Sequence, residues 1–166
     1  SPAQLRPTSK ASSEDPNQGI ALVLHYRPPC QVGALWQFFK DRSLDGMESW
    51  QGDGSQAILR RTVRWPQGKN ALCGWLEVQW DSTQARVHLR VSHSLLAVLP
   101  ELVAQVRDWL DLDADPARIA QVIGTDFPNA LGQRLPGCLD GFELAVRAIL
   151  GQQITVKAAR TLGQRL

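Results

Sequence analysis

The sequence is poor in cysteine and contains no long apolar run. Its three cysteines are widely spaced, odd in number and without a C-x-x-C pair; they are Cys30, Cys73 and Cys138. This argues against a disulfide framework and favours a reducing, cytoplasmic location, with the thiols buried as structural groups. No apolar segment approaches the roughly 20 residues that a bilayer span needs, so no membrane association is expected. The start is polar and rich in Pro and Ser, unlike a secretory signal.

Signatures of metal binding and of nucleophilic catalysis are also missing. The histidines, His25, His88 and His93, are scattered, and none has a Cys or His at ligand spacing. We therefore expect no metal site and no cofactor. The sequence has no Ser nucleophile elbow, no Gly-rich phosphate loop and no obvious pair of catalytic carboxylates. The residues taken alone name no catalytic centre.

Charge is unevenly distributed although the net charge is only +2. Arginine supplies 14 of the 18 basic residues, and no acid lies between Asp53 and Glu77 or after Glu143. The basic residues in these two acid-free zones are Arg60, Arg61, Arg64 and Lys69, then Arg147, Lys157, Arg160 and Arg165. The zones flank an acidic stretch over 101–126, which fits either a nucleic-acid footprint or ordinary solvated surface.

Hydrophobic patterning predicts an α+β fold with an antiparallel sheet and packed helices. Alternation over 20–26 indicates a half-buried strand, and the spacing of Leu35, Phe38 and Phe39 predicts one face of a helix over 32–43. Three further strands separated by short turns predict a meander with one wet face; they cover 57–65, 72–80 and 85–92. The arginines of the wet face could follow a phosphate backbone or only protect and solubilise the sheet; they are Arg60, Arg64, Arg86 and Arg90. Core packing is expected for Trp65, Trp80 and Trp109.

From Ser94 onward the apolar period becomes helical. Helix starts are predicted at Pro100, at Asp115–Pro116, at Asp140 with Glu143 in capping-box spacing, and at Thr155. The apolar stripes of the middle two helices comprise Ile119, Val122 and Ile123, then Phe142, Val146, Ile149 and Leu150. Gly151 ends the helix before a polar corner at Gln152 and Gln153.

The composition of residues 1–18 predicts a linker or the tail of a preceding domain. The last helix has few apolar residues, so the chain reads as a piece of a longer protein. Exposed apolar faces over 140–166 then predict self-association.

The stretch LPGCLDGFELAVRAILGQQITVKAARTL, from residue 135, closely resembles the start of the helical domain in the AlkA (DNA-3-methyladenine glycosylase II) family. The upstream residues look like the TBP-like amino-terminal α+β domain of that family, so the resemblance covers about 19–166. The resemblance implies that the α+β domain covers 19–112 and that 113–166 are the first helices of a truncated helix-hairpin-helix glycosylase domain. The opening SPAQLR is similar to the tail of an AraC-type helix-turn-helix domain, as expected for a fusion with an Ada-type regulator.

This resemblance implies a monofunctional repair glycosylase that hydrolyses the bond between sugar and alkylated base in double-stranded DNA. The target base leaves the stack to reach the enzyme. The family's catalytic aspartate and DNA-gripping hairpin lie downstream of the LGQQ corner, beyond Leu166. We therefore expect no catalytic residue in this chain and no activity from it alone.

The resemblance also places candidate contacts. Gln153 falls at the wedge position that fills the gap left by the flipped base, within a DNA-contacting segment of Gln152, Gln153, Ile154, Thr155 and Lys157. Glutamine departs from the apolar wedge of some family members, and its amide could instead bond the orphaned base. Phe38 matches an aromatic of the base pocket, with core packing as the alternative. A second hypothesis for the whole chain is a non-catalytic regulatory or protein-interaction module of a DNA-binding transcriptional regulator.

Overall fold

A five-stranded antiparallel sheet organises the structure, a computed structural model that describes residues 19–68 and 70–165. The predicted linker over 1–18 lies outside the described residues. The strands are β1 (Gly19–His25), β2 (Glu48–Gln51), β3 (Ile58–Gln67), β4 (Asn70–Asp81) and β5 (Arg86–Ser92). The helices are α1 (Val32–Arg42), α2 (Leu99–Trp109), α3 (Pro116–Ile123), α4 (Gly141–Leu150) and α5 (Val156–Gly163).

The strand order in the sheet is β1-β5-β4-β3-β2, with every neighbouring pair antiparallel. Leu89 at the centre of the inner face pairs with Leu22 on one side and Val78 on the other. The alternation of apolar and polar residues sets this register, because a slip by one residue would turn every apolar side chain outward. The predicted meander is confirmed, and β1 adds to its β5 edge.

Strand β2 was not predicted from the sequence. Its four residues, ESWQ, are too few for an alternating pattern to stand out. It is held at the edge of the sheet by pairing with β3, where Glu48 lies opposite Arg61. Pairing with the partner strand keeps this segment extended.

The inner face of the sheet packs against α1 and α2 through an aromatic cluster. The Trp36 ring lies 5.7 Å from the Trp80 ring and 5.4 Å from the Trp50 ring, both edge to face. Phe39 joins the two helices, with its ring centroid 5.0 Å from that of Trp109. Edge-to-face pairs of this kind add to the stabilisation from buried area alone. The predicted core positions of Trp80 and Trp109 are confirmed.

The buried face of α1 differs from the predicted one. Its buried residues are Val32, Leu35 and Trp36, whereas the Phe38 side chain remains 38% exposed. Phe39 packs partly against the core. The helix is rotated toward Trp36 because the large indole fills the space between α1 and the sheet.

The predicted starts of the last three helices are confirmed. Asp115 accepts a hydrogen bond from the Arg118 amide at 3.1 Å, and Asp140 accepts from the amides of Phe142 and Glu143 at 2.8 and 2.9 Å. These side chains satisfy amides that have no partner inside the helix. The apolar stripes do not become core: Val122 on α3 and Phe142 on α4 are exposed, Phe142 by 81%.

A buried arginine joins the segment before α4 to the rest of the fold. Arg134 donates to the carbonyls of Asp111 and Ala114 at 2.9 and 3.4 Å, and to those of Arg27 and Pro29. Its guanidinium also lies 5.5 Å from the centre of the Tyr26 ring. One side chain therefore connects the loop before α1 with the loop between α2 and α3.

The three cysteines differ in solvent exposure. Cys30 and Cys138 are half-buried, and burial raises the pKa of the Cys30 thiol while Arg134 opposes that rise. Cys73 is exposed because it lies on the wet face of the sheet in β4. The prediction of a buried thiol is therefore wrong for Cys73. Among the described residues, no helix is long and apolar enough to cross a membrane.

Candidate nucleic-acid interface

The corner between α4 and α5 projects two glutamines into solvent. Helix α4 ends at Leu150 with Gly151 as its C-cap, and Gln152 and Gln153 form an exposed turn. The backbone of Gln153 has a φ of 59°, in the left-handed region that a non-glycine residue rarely adopts. The turn thereby directs polar side chains outward between two helices, as the sequence predicted for the corner.

The other residues of the predicted DNA-contacting segment take different roles. The Thr155 hydroxyl accepts a hydrogen bond from the Ala158 amide at 3.2 Å and so serves as the cap of α5. Ile154 lines a cleft of about 230 Å³ together with Arg42 and Leu150. Lys157 is exposed in the first turn of α5. All five predicted contacts are therefore exposed, but Thr155 also caps a helix and Ile154 lines a cleft.

Phe38 lies at a second cleft rather than in the core. This cleft of about 140 Å³ is also lined by Trp109, Leu139 and Leu144. The Arg42 guanidinium lies 3.9 Å from the centre of the Phe38 ring, and Phe39 contacts the ring edge to face at 5.6 Å. The aromatic side chain is therefore accessible, but a cation already occupies part of its surroundings.

A ring of four charged side chains holds α4 against the sheet. Arg61 contacts Glu48 at 3.4 Å and Glu143 at 2.6 Å, while Arg147 contacts the same two carboxylates at 3.1 and 2.6 Å. We refer to Glu48, Arg61, Glu143 and Arg147 as the ionic ring. Arg147 also donates to the Arg42 carbonyl, and Glu48 accepts from the Leu44 amide at 2.7 Å. The ring thus connects β2, β3, the end of α1 and α4.

The ionic ring changes the interpretation of the basic zones. Arg61 is only 7% exposed, and its guanidinium lies 5.6 Å from the centre of the Trp109 ring. Glu143 was predicted to complete a capping box, but its carboxylate binds Arg61 and Arg147. Arg160, in the second zone, contacts Asp45 at 3.4 Å. Several arginines in these zones therefore form ion pairs with other parts of the chain and are not free surface charges.

The ionic ring was not predicted from the sequence because its members lie far apart along the chain. Glu143 and Arg147 are four residues apart, a spacing that brings side chains together on a helix and was visible. Glu48 and Arg61 lie in two strands, of which β2 was not predicted. The ring could have been found only by pairing β2 with β3 and then docking α4 on them.

The wet face of the sheet carries partly compensated charge. Glu77 accepts from Arg60 and Arg90, and Asp81 accepts from Arg86 at 2.9 Å. The Thr83 hydroxyl, with Arg86 and two turn amides, lowers the pKa of Asp81 to about 2. Arg64 is exposed on the same face. Three of the four predicted outward arginines therefore contact one of two carboxylates, and both predicted roles remain compatible with the geometry.

The described part of the chain contains no group of three or more His, Cys, Asp or Glu side chains suited to hold a metal ion. The surface presents exposed amides and a lysine at the corner, an accessible aromatic ring, and a guanidinium between the two clefts.

The chain is similar to known proteins. Residues 21–140 match the family model described as the AlkA N-terminal domain. The chain is 33% identical over 159 residues to the probable bifunctional transcriptional activator/DNA repair enzyme AlkA of two Mycobacterium tuberculosis strains, CDC 1551 / Oshkosh and H37Rv. That match covers 89% of this chain and 29% of each relative.

A second relative is DNA-3-methyladenine glycosylase 2 of Escherichia coli strain K12, which is 36% identical over 86 residues. This match covers 52% of the chain and 30% of the relative. The chain thus spans less than a third of the length of the curated relatives it matches. Since the family model covers most of the chain and the sheet with its packed helices agrees with the predicted α+β fold, the chain belongs to the AlkA N-terminal domain family.

Proposed function

We propose that this chain is the front part of a DNA repair glycosylase that removes alkylated bases of the 3-methyladenine type from double-stranded DNA. The observation that carries the proposal is the similarity over 89% of the chain to relatives named as DNA repair enzymes. The exposed corner at Gln152 and Gln153 supports it, because a protein that extrudes a base must fill the gap in the stack. In the cell we place this activity in the cytoplasm.

In this proposal the chain positions the DNA and does not itself hydrolyse the bond between sugar and base. Gln153 enters the gap left by the flipped base and bonds the orphaned partner base through its amide. Lys157 contributes a phosphate contact, and Phe38 contributes one wall of the pocket that receives a cationic alkylated base. The aspartate that stabilises the sugar cation while water attacks, and the helix-hairpin-helix, are supplied by residues beyond Leu166. The division into an α+β domain over 19–112 and a helical domain over 113–166 belongs to the same proposal.

The test is release of 3-methyladenine from methylated duplex DNA. We compare the 166-residue chain with the longer protein that continues past Leu166. Release by the longer protein alone is the expected result and supports the glycosylase assignment. If neither releases base although the longer protein is folded, the assignment fails and the regulatory-module hypothesis replaces it.

The corner is tested in the same assay with a single substitution. In the longer protein, Gln153→Ala is expected to slow base release about 10-fold, as for loss of one hydrogen bond made while the base is flipped. Gln84→Ala is the matched control, because Gln84 is an exposed glutamine in the turn between β4 and β5. Equal rates for the two variants would contradict the role of Gln153.

The predicted fusion with a transcriptional regulator also receives support from one observation. The printed name of the Mycobacterium tuberculosis relatives joins a transcriptional activator to a DNA repair enzyme. This agrees with the predicted fusion to an Ada-type regulator. We propose such a fusion as the origin of residues 1–18, with the glycosylase as the second activity of the same protein.

Self-association of this chain is a further expected result. Phe142 and Ile149 on α4 are strongly exposed. Covering apolar side chains of this size with another surface lowers the free energy. Sedimentation velocity should show a dimer whose fraction increases with protein concentration. The Phe142→Ser variant should remain monomeric. Leu96→Ser, at an exposed leucine before α2, should retain the dimer. A single monomeric species for the wild-type chain at every concentration would contradict the prediction.

A further inference from the structure

Arg42 occupies an unusual position between the two clefts. It is the last residue of α1, and its guanidinium lies against the Phe38 ring at 3.9 Å. Its Nη1 donates to the Phe38 carbonyl at 3.2 Å. The residue lines both the cleft that contains Phe38 and the cleft that contains Ile154 and Gly151. Its charge therefore lies between the candidate base pocket and the candidate DNA corner.

Arg42 differs from the other arginines of these clefts in its partners. Arg61, Arg147 and Arg160 each contact at least one carboxylate. Within residues 19–68 and 70–165, none of the observed ion pairs includes Arg42. Its contacts are an aromatic ring and a backbone carbonyl, both weak for a cation with five donors.

The contact with Phe38 also conflicts with binding of a cationic base. A positively charged base would stack on the aromatic ring for the same electrostatic reason that Arg42 does. Two cations on one ring face repel each other, so the guanidinium must leave before such a base can use that face. A DNA phosphate is a stronger partner for a guanidinium than an aromatic ring, because the guanidinium binds it with two parallel hydrogen bonds.

We propose that Arg42 is a DNA-phosphate-binding residue that rests on Phe38 in the free protein and moves to the backbone when DNA binds, which uncovers the ring. The inference rests on the proposed function, since it requires that this chain contacts DNA. It makes Arg42 a positioning residue: phosphate binding at the corner and access to the aromatic wall become one event. A structural alternative is that Arg42 only stabilises the carboxyl end of α1 through the helix dipole.

The experiment measures binding of the 166-residue chain to a fluorescent duplex with one abasic site, by anisotropy between about 50 and 200 mM salt. The abasic site removes any contribution of Phe38 to base stacking. Each phosphate contact contributes about 0.9 to the slope of log affinity against log salt, so Arg42→Gln should reduce the slope by about that amount. Arg42→Lys should keep the slope, because lysine retains the charge. Arg118→Gln, an exposed arginine on α3, removes the same charge and should leave the slope unchanged.

A second variant separates this proposal from a role in helix stability. Phe38→Ala removes the resting place of Arg42, so the chain should bind the abasic duplex about 2- to 5-fold more tightly. In the Arg42→Gln background the same change should have no effect. Circular dichroism of each variant establishes that it is folded.

The outcomes distinguish the two proposals. If the wild-type chain does not bind the duplex, the proposed DNA contact of this chain fails, and the role of Arg42 fails with it. If the wild-type chain binds but Arg42→Gln and Arg118→Gln have the same slope, only the Arg42 proposal is overturned. Unchanged or weaker binding by Phe38→Ala would also overturn it, because no resting contact would then compete with DNA.

Discussion

Replacing Arg61 with methionine is expected to lower the free energy of unfolding by about 3 kcal/mol, the cost of breaking a buried ion pair. Arg61 is 7% exposed and contacts both carboxylates of the ionic ring. Methionine keeps much of the apolar volume against Trp109 but leaves Glu48 and Glu143 with Arg147 as their shared cation. The remaining negative charge is poorly hydrated at this site, which makes the loss large.

The matched control is the neighbouring arginine of the same strand. Arg60 pairs with Glu77 on the wet face, and its side chain is 48% exposed. Exposed pairs contribute about 0–1 kcal/mol, so Arg60→Met should have a small effect. Urea unfolding followed by circular dichroism measures both variants. Equal losses from Arg61→Met and Arg60→Met would contradict the role of the ionic ring.

A double substitution tests the ring as a unit. Glu143→Gln in the Arg61→Met background removes one of the carboxylates that lost its partner. We expect the two losses to be less than additive, because the second change relieves the uncompensated charge left by the first. This coupling separates electrostatic imbalance from a simple packing defect.

Replacing Arg134 with methionine is expected to lower the free energy of unfolding by about 3 kcal/mol, within the range for loss of a buried hydrogen-bond network. Arg134 is 7% exposed and serves four backbone carbonyls. Methionine has no donor, so these carbonyls lose a partner in a place where water has little access. Lysine should rescue only part of the loss, since one ammonium cannot span the positions that a planar guanidinium reaches.

Hydrogen exchange at individual amides measures the local effect of the Arg134 substitution. The Gln31 amide donates to Gly132 at 2.8 Å, and the Leu135 amide donates to Asp111 at 2.9 Å. Both bonds depend on the position of the segment that Arg134 holds, so both amides should lose protection in Arg134→Met. Arg118→Met, at an exposed helical position, should leave them protected. Protection that survives in Arg134→Met would show that other contacts hold the segment.

The elements that were predicted correctly depend on local chemistry. Strands β3, β4 and β5 show alternation long enough to define both faces, and Val87 and Leu89 are fully buried as expected. Asp115, Asp140 and Thr155 cap their helices because each side chain bonds an amide two or three residues later. Such contacts need no information from distant parts of the chain.

The misses have a common physical reason. Strand β2 is extended because β3 pairs with it, and α1 turns Trp36 inward because the indole fills a gap beside Trp80. On α4 the charged side, with Glu143 and Arg147, faces the sheet while Phe142 is exposed. A pattern that counts apolar residues along one helix cannot indicate that a neighbouring Glu48 and Arg61 favour the charged side.

The sequence by itself therefore determined the α+β class, the meander, the helix starts and the position of the polar corner, since these follow from alternation and capping within a few residues. Tertiary structure alone decided where the arginines act. It placed Arg61 in the ionic ring, Arg134 among backbone carbonyls and Arg42 on Phe38 between two clefts. A guanidinium takes its role from the carboxylates, carbonyls and rings that the fold brings to it, because its long side chain can reach many partners.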